Sequence, residues 1–169
     1  MAGSEIVQNN SEEQKGTMFV AEQVFAREAF MHYLNLEIKR ARRYQNFFSV
    51  MRFELELRDN HVDGIKKRES SLKSLLKLLR EEIRETDILG QTRENEVMVL
   101  LPYCDCSGAD VVNMRLSGVI RDFYFGNEEF NVKCGLACFP VEATDMLEIL
   151  KKLVPRPVYG DQDDKTNAK

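Results

Sequence analysis

The chain has 169 residues, 43% of them hydrophobic and 31% charged, with a formal net charge of -4. That length suits a single hydrophobic core with tails, and the weak negative charge excludes a global attraction to nucleic acid or to an anionic membrane. No apolar run approaches the roughly 20 residues that span a bilayer, and the opening "MAGSEIVQNNSEEQKG" lacks the apolar stretch of a secretory signal, so a cytoplasmic location is expected.

Residues 1–17 are polar and are expected to form a disordered N-terminal tail, ahead of a domain over 18–154. Within it Phe30, Leu34, Ile38 and Ala41 recur at helical spacing, which predicts a long amphipathic helix over 22–44. Its end, "IKRARRYQN", collects cations where the helix dipole favours them, and reads as a solvated terminus rather than a binding patch. A strand follows, with Met51, Phe53, Leu55 and Leu57 on one face and Arg52, Glu54 and Glu56 on the other, solvated face. After the loop "RDNHVDG", Leu72, Leu75, Leu76, Leu79 and Ile83 define a second helix.

Ile88–Gln91 and Val97–Leu101 read as a hairpin whose turn contains no glycine. Ser107 is expected to start a third helix that buries Val112, Leu116, Val119, Ile120 and Phe123. "FNVKCGLACFP" is a further strand, and "ATDMLEILKKLV" a short last helix halted by Pro155 and Pro157. Residues 155–169 are expected to be a disordered C-terminal tail. Strands joined partly by a hairpin and partly by helices imply an α+β domain, a mostly antiparallel central sheet of about five strands flanked by helices.

The four cysteines form two close pairs, Cys104 with Cys106 and Cys134 with Cys138. Neither pair has the spacing of a zinc knuckle and no histidine is near, so reduced structural thiols are expected. His32 and His61 have no Ser, Cys or Asp pattern around them and read as packing or surface residues.

The succession "REAFMHYLNLEIKRARRYQNFFSVMRFELE", "LLKLLREEIRETDILGQTRENEVMVLLP" and "VKCGLACFP" resembles the GGDEF domain of diguanylate cyclases, over roughly residues 19 to 153. The resemblance implies a cyclase-like palm fold and a place in bacterial signal transduction, in a family that condenses two GTP molecules into cyclic di-GMP. The family's signature falls on Arg93, Glu94, Asn95, Glu96 and Val97. Its two glycines lie close against the nucleotide, an approach for which only glycine has the conformational freedom and the missing side chain. Arg93 and Glu94 put bulk there. The third position normally supplies an acidic metal ligand and is Asn95 here; the other metal-binding carboxylate corresponds to Glu54, beside the opposing charge of Arg52. Magnesium relies on carboxylates plus substrate phosphates, so Glu54 is a vestigial metal position and no metal is expected.

Other departures agree. The family's glycine-aspartate pair falls on Arg68 and Glu69, and its guanine-reading asparagine has no clear counterpart near Asp59 and Asn60. Its "DxLT" segment reads "FVAE" over 19–22, and its last helix is replaced by Pro155, Pro157 and the tail. No catalytic residue is assigned, and the resemblance is to a degenerate domain that is not an enzyme. "RETD" does match the family's inhibitory site for cyclic di-GMP, with Arg84 and Asp87 five residues upstream of the signature and Arg80 one helical turn earlier. A guanidinium can donate to guanine O6 and N7, while a carboxylate accepts from N1–H and the exocyclic amine. The plainer reading, which takes precedence, is a helix end with a local Arg84–Asp87 ion pair.

The leading expectation is a catalytically inactive signalling module acting through a protein partner or sensor domain, without cofactor, and able to pair with another copy through its first helix. The sharper alternative is a cyclic di-GMP receptor using Arg84 and Asp87. A divergent nucleotide-processing enzyme rests only on Glu54 and the analogy of fold.

Overall fold

The structure is a computed structural model that describes residues 19–21, 23–57, 64–123 and 130–158. In chain order the elements are β1 (Phe19–Ala21), β2 (Val24–Ala26), α1 (Arg27–Tyr44), β3 (Phe48–Leu57), α2 (Gly64–Glu82), β4 (Ile88–Arg93) and β5 (Glu96–Pro102). They continue with α3 (Cys106–Asp122), β6 (Phe130–Phe139), α4 (Met146–Lys152) and β7 (Arg156–Pro157). The strands form one sheet in the order β1-β2-β4-β5-β3-β6-β7. All neighbours run antiparallel except β2 and β4.

β3 sits inside the sheet because its apolar residues alternate on both faces. Met51, Phe53 and Leu55 join the core beneath α2 and α3, while Phe48 and Val50 join the one beneath α1 and α4. The face that carries Arg52, Glu54 and Glu56 is therefore only half solvated: its Phe48–Val50 end lies under two helices. Along β3 the register pairs Glu54 with Glu96 on one side and Lys133 on the other.

The sheet has seven strands instead of about five, the additions being short edge segments. The first helix begins at Arg27, later than 22, because Val24–Ala26 is extended and lies parallel to β4, with Phe25 opposite Gly90. Val24 is buried there, so its apolar side chain serves the sheet and not the helix. α3 begins at Cys106 and its cap is Asp105, whose carboxylate accepts from Gly108 N at 2.8 Å, one step ahead of the expected Ser107 start. Phe123, expected inside, is the C-cap of α3 and 39% exposed.

α4 is shorter than 143–154. Asp145 accepts from Glu148 N at 2.9 Å, while Thr144 donates back to the Glu148 carboxylate, a reciprocal cap that fixes the first turn at Met146. Beyond it Arg156 and Pro157, read as tail, pair with Cys134 and Lys133, and Val158 N donates to Val132 O at 2.9 Å. Proline lacks an N–H and suits this edge position. Gly135 permits the return, since a Cβ there would lie 2.8 Å from the backbone of Leu153.

The basic end of α1 is not wholly free: Arg42 donates to Thr144 O at 2.6 Å and ties the helix to the start of α4. The expected N-terminal tail, the loop residues Asp59, Asn60 and His61, and residues 159–169 lie outside the described residues. No described helix is long and apolar enough to cross a membrane.

Candidate functional site

The β4–β5 hairpin brings the signature residues against β3. The ladder is irregular between Gln91 and Arg93, and its turn, Glu94–Asn95, folds back onto the neighbouring strand. Leu55 N donates to Asn95 O at 2.8 Å, and the Asn95 side-chain amide donates to Leu55 O at 3.3 Å. Arg93 and Glu94 are exposed, and Val97 is fully buried in the core beneath α2 and α3.

Glu96 is the pivot of this corner. It is only 5% exposed, and such a carboxylate needs partners. The Thr92 hydroxyl donates to its Oε1 at 2.6 Å, and an Arg52 Nη2 lies 2.8 Å from its Oε2. The same nitrogen is 2.9 Å from Glu54 Oε2, so one guanidinium joins the two carboxylates that the strand register sets opposite each other. Arg52 Nη1 reaches Leu153 O at 3.4 Å, while Nε has no hydrogen-bond partner among the described residues. Arg93 stands further off, 3.9 Å from Glu96. Arg27, at the start of α1, donates to Thr92 O at 3.3 Å and closes the corner from the helix side.

Glu56, at the outer end of β3, pairs with Lys133 at 2.7 Å, a hydrogen bond that pushes the lysine above its usual range. The expected charge on this strand face is present, but Glu54 is committed inward to Arg52. Arg52 and Glu54 stand two apart on one strand face, so that pair follows from their spacing, whereas the shared contact with Glu96 depends on the β3–β5 register.

Arg80, Arg84 and Asp87 meet at the turn between α2 and β4. Asp87 is 7% exposed, and its Oδ2 accepts from the backbone N–H of Arg84 at 2.9 Å. Its own N–H returns to Arg84 O at 3.1 Å, and Arg80 Nη1 reaches Asp87 O at 3.4 Å. The local link is thus through the Arg84 main chain; among the described residues its guanidinium forms no ion pair with Asp87, contrary to the spacing argument, and Arg84 is exposed. Burial pushes the Asp87 carboxyl above the usual carboxylate range, against the opposing pull of the Arg84 amide and of the nearby arginine charges.

The cysteines also regroup. Cys106 meets Cys138 across the α3–β6 gap, beside Glu142. The described thiols are all free. His32 contacts the ring of Tyr33 edge-on, a surface packing role on α1.

A mixed α+β layer of this topology, with an acidic strand facing a hairpin turn, defines the palm-like class of domains. The family model "Diguanylate cyclase, GGDEF domain" matches residues 21–154, and the chain belongs to that family. Among curated protein sequences none matches significantly. Among solved structures it is similar to a DGC protein from Thermotoga maritima, with TM-score 0.64 and 16% identity over 78% of this chain and 96% of that one. The GGDEF domain of DgcB from Caulobacter crescentus, in complex with c-di-GMP, gives TM-score 0.64 and 11% identity over 89% and 88%. Diguanylate cyclase SiaD from Pseudomonas aeruginosa, in complex with its activator SiaC, gives TM-score 0.64 and 16% identity over 85% of this chain and 58% of SiaD. At these identities the likeness is one of fold.

Proposed function

We propose that this chain is a GGDEF-family module without cyclase activity that serves regulation by contacting another protein. The observation that carries this reading is the Arg52 guanidinium, 2.9 Å from Glu54 and 2.8 Å from Glu96. A magnesium ion for GTP chemistry would need carboxylate oxygens in this corner. Both carboxylates already hold a cation, and Asn95 directs its amide to Leu55 O. The residues present do not fit the metal.

The absence of glycine at Arg93 and Glu94 acts in the same direction, because a nucleotide lying on the turn meets two long side chains. SiaD is a cyclase found in complex with an activator protein. That complex supports only the point that a protein containing this fold can take a protein partner; the lack of chemistry rests on the corner residues of this chain. Incubation with GTP and magnesium, followed by chromatography beside an active family member, tests the proposal. No cyclic di-GMP is the expected result, and steady accumulation of it overturns the reading.

A second reading, cyclic di-GMP reception through Arg84, Asp87 and Arg80, is favoured by the exposed guanidinium of Arg84 beside a carboxylate held in place by the turn. One Asp87 oxygen is occupied by the Arg84 amide, which leaves the other to accept from a guanine edge. Isothermal titration calorimetry with cyclic di-GMP separates the two readings. Binding that disappears in Arg84→Ala supports reception, and unchanged affinity in that variant excludes this site.

A further inference from the structure

Cys106 opens α3, Cys138 lies near the end of β6, and Glu142 sits in the turn that follows. One ligand atom from each, the two sulfurs and a carboxylate oxygen, lies within 4.8 Å of the others. The fold causes this meeting. Val132 and Cys138 of β6 face the core beneath α2 and α3, and Cys134 and Leu136 pack against that core, so this face of the strand looks towards the first turns of α3. The turn then brings Glu142 back: its N–H donates to Cys138 O at 2.9 Å, and its Oε2 accepts from Cys138 N at 2.9 Å.

We infer that Cys106, Cys138 and Glu142 form a binding site for a thiophilic divalent cation, of which zinc is the type. In a tetrahedral site with bonds of about 2.3 Å to sulfur and about 2.1 Å to oxygen, neighbouring ligand atoms stand roughly 3.5–3.8 Å apart. Separations of up to 4.8 Å need a contraction of at most about 1.3 Å, within the reach of side-chain rotation. The Cys138 amide already orients the carboxylate, the role that an outer partner plays in metal sites.

The surroundings match the charge of such a site. Two thiolates, a carboxylate and a dication sum to -1, and Lys151, Lys152 and Arg156 line the same cavity of about 670 Å³. That cavity gives the fourth coordination position to water or a small ligand. Cys134 also lines it, but its Sγ donates to Asn113 Oδ1 at 3.4 Å, and it stands outside the ligand cluster. Both thiols must lose their protons to ligate, so cation binding releases protons to solvent.

The reduced full chain, titrated with cobalt under anaerobic conditions, supplies the test. The expected result is a thiolate-to-cobalt charge-transfer band that saturates at one equivalent and is displaced by zinc. Since an outer partner alone accounts for about 10–100-fold in metal affinity, Cys106→Ser should weaken zinc by more than about 100-fold. Glu142→Gln, at an exposed position that leaves packing intact, should weaken it by at least about tenfold, and Cys134→Ser should leave it unchanged. Circular dichroism confirms that each variant is folded. The inference is overturned by absence of the band in the reduced protein, by its survival in folded Cys106→Ser, or by zinc affinity indifferent to both Cys106→Ser and Glu142→Gln, as when the two thiols serve only to form a disulfide.

Discussion

Arg52→Met removes the cation from between Glu54 and Glu96 while keeping an unbranched apolar side chain along the strand. Each arginine–carboxylate contact, at 2.8 and 2.9 Å, has a gross Coulomb energy of about 6 kcal/mol at an effective dielectric near 20. Desolvation offsets much of that, and breaking a buried pair costs about 3–5 kcal/mol in measured cases. Arg52 keeps 21% of its side chain exposed and Glu54 32%, which places the loss at the lower end, about 3 kcal/mol. Most of this loss is the isolation of the buried Glu96 carboxylate opposite Glu54. Adding Glu96→Gln in the same chain should therefore restore about half of the stability, because a neutral amide needs no cation and still accepts from Thr92. Urea unfolding followed by circular dichroism on the wild type, both single variants and the double variant gives the coupling energy. We expect about 1–3 kcal/mol; single effects that add to within about 0.5 kcal/mol would refute the reasoning.

Gly135→Ala places a Cβ 2.8 Å from the Leu153 backbone, and unfolding in urea should show a loss of about 1–3 kcal/mol with β7 the first element to lose amide protection in hydrogen exchange. Asp105→Ala removes the acceptor of Gly108 N and should cost about 1 kcal/mol in the same assay. Asp87→Asn keeps an acceptor for the Arg84 amide but cannot ionise. Because the folded Asp87 carboxyl titrates above its ordinary value of 3.8, its contribution is fully present below that value and is lost as pH rises through the folded one. The melting temperature of Asp87→Asn should gain on the wild type as pH rises from about 3 to about 7, and a constant difference would contradict this.

The strands and helices with long periodic patterns were legible because one residue in two, or one in three to four, had to be apolar for them to bury a face. The run from Met51 to Leu55 and the stripe Leu72, Leu75, Leu79 are of this kind. β2 and β7 were not, since segments of three and two residues carry no period and exist through their neighbours. Gly90 lets α1 pack close against β4, where a Cβ would fall 2.6 Å from Phe30.

The hairpin that carries Arg93, Glu94, Asn95 and Glu96 is legible too. The pairing of Glu96 is not, because the Arg52–Glu96 contact depends on which residues two strands set opposite one another. The Cys106–Cys138 contact is hidden for the same reason, since it depends on how the start of α3 lies against the end of β6. At "RETD" the spacing of Arg84 and Asp87 also suits an ion pair, whereas the turn satisfies the carboxylate with a main-chain N–H.

The closing of the hairpin corner by the chain's own side chains is tested most directly by nuclear magnetic resonance of the labelled protein with GTP and manganese, a paramagnetic substitute for magnesium. The account predicts that amide signals of Arg52, Phe53, Glu54 and of Arg93, Glu94, Asn95 and Glu96 keep their intensity. Selective broadening of those signals would place a metal–nucleotide complex in the corner and contradict it.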